Sequence, residues 1–179
     1  MTRQSLLISA AVAAALATGG GAPAVGNDDD HDGRRLKADL RGFQEVPAIS
    51  SPGRGSFRGI ISHDGTEIAW RLDYRSLQGT VTQAHIHLGD HHTNGGISVF
   101  LCSNLPSPPA GTQPCPAPGP GAEVTGTSTM SNVIGPAGQG IAAGEFAELI
   151  RAIRAGVTYA NVHTNIFPGG EIRGQIRAD

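Results

Sequence analysis

"VTQAHIHLGDHH" runs from Val81 to His92 and holds four of the seven histidines of a 179-residue chain. From Ala84 to Leu88 apolar and polar residues alternate, and a strand sends alternate side chains to opposite faces. Ala84, Ile86 and Leu88 therefore share the core face, while His85 and His87 share the other. Gly89, Asp90 and the Gly/Asn-rich stretch that follows end the strand, so the segment reads as strand then turn.

The same pattern recurs along the chain in "LKADLRG", "RGSFRGIIS", "TEIAWRLDY", "GISVFLC", "AEVTGTSTM", "VTYANVHT" and "GEIRGQIRA". Turn residues separate these runs, and "HDG" at 63–65 is a hairpin signal because Asp-Gly supplies the positive φ of a tight turn. With 26 glycines, 12 prolines and 4 % aromatics, the composition agrees with an all-β protein. The expectation is an all-β antiparallel barrel or sandwich of about eight strands. One segment differs. In "GEFAELIRAIRAG", Phe146, Leu149, Ile150 and Ile153 fall at helical spacing, and Gly156 follows as a C-cap. One short, core-packed helix is predicted there.

The first residues read as a targeting segment: a positive start, the apolar run "LLISAAVAAALA", then small residues. Cleavage is expected after Ala17 or Ala24, and the apolar run is too short to span a bilayer. The organisation that follows is a signal peptide at 1–24, an acidic linker at 25–35 containing His31, and one domain at 36–177. A secreted or periplasmic location follows. In such a compartment Cys102 and Cys115, the only cysteines, are expected to pair across the proline-rich loop between them. With 13 Lys and Arg against 15 Asp and Glu, no basic stripe is legible, and nucleic-acid binding has no support. No phosphate loop, dinucleotide fingerprint or nucleophile elbow is present.

The histidines are the remaining chemistry. On "VTYANVHT", Ala160 and Val162 take one face, and Tyr159, Asn161 and His163 the other. His85, His87 and His163 thus all point away from the core, outward from the barrel. Neighbouring strands would let them converge on one ion, and neutral imidazole suits copper, with zinc the lesser choice. The bland reading is a wet strand face that is polar for that reason alone. His63, His91 and His92, in turns and loops, are weaker candidates for a further ligand.

Three blocks, "LRGFQEVPAI", "AHIHLGD…GGISVFL" and "FAELIRAIRAGVTYANVHTNIFPGGEIRGQI", resemble the chordin-type (CHRD) domain family from about Leu36 to Arg177. The resemblance implies an antiparallel Greek-key barrel or sandwich, immunoglobulin-like or superoxide-dismutase-like, and an exported protein. By distant similarity to copper/zinc superoxide dismutases, His85 and His87 match the copper-binding H-x-H strand and His163 the late-strand ligand. The zinc-ligand cluster of those enzymes does not follow His87, which leaves at most a single-ion site. Three functions are open: a metal-binding module, a redox enzyme with Arg173 as steering cation, or a metal-free scaffold presenting loops such as 104–121 to a protein partner.

Overall fold

All eight alternating segments form strands in the computed structural model, which describes Met1 and residues 33–179. The rest of the predicted leader and most of the acidic linker, with His31, lie outside the described residues. The strands are β1 (Arg35–Arg41), β2 (Arg54–Ile61), β3 (Glu67–Arg75), β4 (Val81–Leu88), β5 (Gly96–Ser103), β6 (Glu123–Thr129) and β7 (Thr158–Thr164). The last segment divides at Ile176 into β8 (Ile172–Gln175) and β9 (Arg177–Ala178). Helix α1 (Phe146–Arg154) lies between β6 and β7.

The antiparallel strands run in the order β5-β4-β7-β8-β1-β2-β3-β6, with β9 also on β1. Chain order explains this arrangement. β1, β2 and β3 form a meander, the chain crosses to the β4–β5 hairpin, and β6 returns to pair with β3. This is Greek-key connectivity, and it makes a nearly closed barrel. The gap lies between β5 and β6, where Gln113 Nε2 donates to Thr125 O at 2.8 Å and to Leu101 O at 3.5 Å. One side chain thus bridges two sheet edges that lack a common ladder.

Alternation fills the interior. Leu36, Ala38 and Leu40 of β1, Ile68, Trp70 and Leu72 of β3, Ala84 and Ile86 of β4, and Ala160 and Val162 of β7 are all buried in one core. Leu88 is partly buried against it. Burying a side chain such as Ile86 contributes about 1.5–3 kcal/mol, so slipping the register by one residue would cost this on every strand. The helix adds Phe146, Leu149, Ile150 and Ile153 to the same core. It ends as its sequence predicts: Gly156, at φ 72°, donates its N–H to Ile153 O at 2.9 Å. Glycine takes this left-handed conformation without a Cβ penalty.

Cys102 and Cys115 form the expected disulfide. Tyr74 O–H donates to Pro116 O at 2.6 Å and pins the proline-rich loop to β3. A second brace was not legible in sequence. Buried Glu171 accepts hydrogen bonds from Ser51 Oγ at 2.6 Å, Gln78 N at 2.7 Å and Thr164 Oγ1 at 2.8 Å. A buried carboxyl group needs such partners, and this one ties the β3–β4 crossover to the end of β7.

Candidate metal centre

Strands β4 and β7 are direct neighbours, with His85 opposite Asn161, His87 opposite Tyr159, and Gln83 opposite His163. The adjacency that the sequence required is therefore present. His163 lies diagonally across from His85, and His85 Nδ1 is 3.2 Å from His163 Nε2. One ring nitrogen from each of His85, His87 and His163 lies within 4.8 Å of the others. His63, His91 and His92 are exposed and stand outside this cluster.

One expectation is corrected. The three histidines do face away from the barrel core, but they are not outward-facing side chains on a wet surface. His85 is fully buried, and His87 and His163 are each 7 % exposed. The cause is a cover of loops. The stretch after β4, which reads as a simple turn, folds back over the face. Arg173 of β8 holds it there, donating from Nη1 to Thr93 O at 2.8 Å and from Nη2 to Asp90 O at 2.9 Å. Asn94 Nδ2 reaches Val46 O at 2.9 Å, linking the cover to the segment after β1. Gly95 sits so close to β4 that a Cβ there would lie 1.6 Å from Leu88 O; any side chain would lift the loop.

The cover also fixes the imidazoles. His87 Nδ1 is 2.9 Å from Gly95 O, and His163 Nδ1 is 2.9 Å from Pro168 O. A carbonyl only accepts, so both Nδ1 atoms carry the proton and both Nε2 atoms keep a lone pair. His163 Nε2 therefore accepts the His85 Nδ1–H, and the end of the Asn161 amide that lies 3.1 Å from the same nitrogen is its N–H, since two acceptors cannot pair. His85 Nε2 and His87 Nε2 are buried with no hydrogen-bond partner among the described residues. His87 stacks on Tyr159 at 4.8 Å, and the ring of Phe100 meets His85 edge-on at 4.3 Å.

Burial holds all three rings neutral. It pushes His85 down to about 2, with His163 and His87 adding to the effect. It pushes His87 down to about 4 against the opposing bond to Gly95. His163 is lowered by burial, opposed by the bond to Pro168. Neutral imidazole is the form that ligates a metal.

Arg173 does not fit a steering role. It is 2 % exposed, its guanidinium lies 3.5 Å above the Tyr159 ring, and it is committed to the loop carbonyls. It acts as a clamp. Glu45 is also buried, and desolvation raises its carboxyl to about 8 although Arg173 pulls the other way. Sequence reasoning missed the carbonyls of Gly95 and Pro168, since backbone acceptors leave no residue signature. Tyr159, Asn161 and Arg173 share the face of the histidines, and that parity was the available signal.

The donor set fits a metal ion. Three neutral nitrogens converge, and two are oriented by backbone carbonyls on the far side of the ring, as ligating histidines usually are. Two buried nitrogens, His85 Nε2 and His87 Nε2, lack a hydrogen-bond partner among the described residues, at a cost of about 1–3 kcal/mol each.

The CHRD domain family model matches residues 36–176. No curated protein matches the chain.

Proposed function

The chain belongs to the CHRD-domain family, and on that premise we propose that it is an exported binding module holding one copper-type ion through His85, His87 and His163. The single observation that carries this reading is the cluster of ring nitrogens within 4.8 Å of one another, neutral and partly without partners. A bound ion would accept their lone pairs. Copper is preferred because an all-imidazole set suits it, with zinc second. The disulfide supports an extracytoplasmic site of action, in keeping with a signal peptide at 1–24.

A binding role is favoured over redox turnover by the cover of the site. The imidazoles are almost sealed from solvent, and Arg173 on the same face is engaged in holding the loop. A superoxide-dismutase-like reaction needs an open position and a free steering charge. The test uses the mature protein and its His85→Ala/His87→Ala/His163→Ala variant, titrated calorimetrically with Cu(II) and with Zn(II). The proposal expects one equivalent of copper bound by the wild type and none by the variant. Equal binding by both would end it. Superoxide turnover above that of free copper would replace the module with an enzyme.

A further inference from the structure

The outer face that carries the histidines on β4 and β7 continues across β1, β2 and β3, where its character changes to cationic. Arg177 of β9 stands opposite Lys37, Lys37 opposite Arg58, and Arg58 opposite Arg71. A second row runs parallel to it: Arg41 opposite Arg54, and Arg54 opposite Arg75. These two rows hold seven of the 13 basic residues of a chain whose net charge is −2. The earlier expectation that no basic stripe exists fails on this face. The sequence hides it, because the charges sit at alternate positions of different strands.

The rows differ in how they are neutralised. In the first, Lys37 pairs with Asp179, Arg58 with Asp39 at 2.9 Å, and Arg71 with Glu123 at 3.5 Å. In the second, Arg41, Arg54 and Arg75 make no ion pair among the described residues. Arg54 instead donates from Nη1 to the carbonyls of Gly53 at 2.6 Å and Ser51 at 3.4 Å, which orients it. Like charges directly opposite one another destabilise a sheet, so folding alone does not explain three arginines in register. Two hollows lie on this face. One, of about 390 Å³, is lined by Lys37, Arg41, His91 and Arg177; the other, of about 410 Å³, by Arg41, Arg54 and Arg75. They share Asp39 and Arg41 and so adjoin.

We propose that this face binds a linear acidic polysaccharide, one carrying carboxylate or sulfate groups on a hydroxyl-rich backbone. Neighbouring strands place successive cations about 4.8 Å apart, and four residues of strand separate the rows by about 13 Å. Guanidinium forks take carboxylate or sulfate oxygens in pairs. Between the cationic rows lies a third row, Asp39, Ser56 and Asp73, with Ser56 donating to Asp73. Those carboxylates accept from sugar hydroxyls. No aromatic side chain occupies the three rows, so nucleic-acid bases find no stacking platform. The proposal is independent of the metal site.

The experiment measures binding of the mature protein to heparin, polygalacturonate, dextran and single-stranded DNA at one salt concentration. An Arg41→Gln/Arg54→Gln/Arg75→Gln variant is compared with an Arg151→Gln/Arg154→Gln control on the helix. The wild type should bind heparin or polygalacturonate, with dextran silent and DNA weaker. The arginine-row variant should lose roughly tenfold or more in affinity, because most of the attraction is charge-based, while the control keeps it. The row variant should melt no lower than wild type, since a repulsive row has been removed; the single Arg75→Gln variant gives a second reading. The proposal is overturned if neither acidic polysaccharide binds, or if DNA binds as tightly. It is equally overturned if the row variant keeps its affinity, or if the helix control loses as much.

Discussion

Lowering the pH of the metal-free protein should unfold it from the metal centre outward. Folding holds His85 near 2 and His87 near 4 because the covering loops remove water, whereas an unfolded histidine titrates near 6.5. Below about pH 6.5 the unfolded chain therefore binds protons that the folded chain refuses, and stability falls with pH. Well below pH 6.5 each histidine contributes about 1.4 kcal/mol per pH unit; because the unfolded ring is only half protonated at pH 6.5, this pair costs about 3 kcal/mol between pH 6.5 and 5. Glu45 acts in the opposite direction. Its folded carboxyl is raised to about 8, so it favours folding as pH falls and returns about 2 kcal/mol over the same interval. The net loss is about 1 kcal/mol, and His163, whose folded pKa is also lowered by burial, acts in the same direction as His85 and His87. Urea unfolding at a series of pH values measures this, with Glu45→Gln separating the two contributions: that variant should show the steeper loss. A stability that is flat or rises between pH 6.5 and 5 in the Glu45→Gln variant would mean the folded imidazoles take up protons freely. The sealed-site account would then be wrong.

Other perturbations test the packing around the site. Ile86→Asp places a charge in a fully buried position and should cost more than 4 kcal/mol or abolish folding. His87→Ala removes the stack on Tyr159 and leaves Gly95 O without its donor, costing about 1–3 kcal/mol. On a wet face it would cost almost nothing, so urea melts of this variant distinguish the two placements. Glu171→Ala strands the N–H of Gln78 and the hydroxyls of Ser51 and Thr164, and should lower stability by about 3 kcal/mol. A Cys102→Ser/Cys115→Ser variant should lose about 3 kcal/mol of loop-closure stabilisation. Faster amide exchange in the 104–121 loop would accompany it, measurable by mass spectrometry.

The strands were legible because each buries one face against a single core. In β4 the alternation of Ala84, Ile86 and Leu88 with His85 and His87 gives both the strand and its orientation. The same parity on β7 put His163 on the histidines' side, and the helical spacing of Phe146, Leu149, Ile150 and Ile153 marked α1. What sequence did not carry was the second layer over that outer face. Gly95, Asn94 and Arg173 act through backbone carbonyls and a guanidinium reaching across from β8, contacts between segments some 80 residues apart in Arg173's case. A polar strand face therefore looked wet when loops had covered it. Glu171 escaped notice because two of its partners, Ser51 and Gln78, lie more than 90 residues away in the chain. The arginine row escaped because cross-strand register, and not sequence proximity, brings its members together.

The central claim is that His85, His87 and His163 bind one ion as a set. Electron paramagnetic resonance of the mature protein with one equivalent of Cu(II) tests it most directly. The account predicts one homogeneous copper signal with nitrogen hyperfine structure from imidazoles, lost when all three histidines are replaced by alanine. A signal indistinguishable from copper in buffer, or one that survives that replacement, would contradict it.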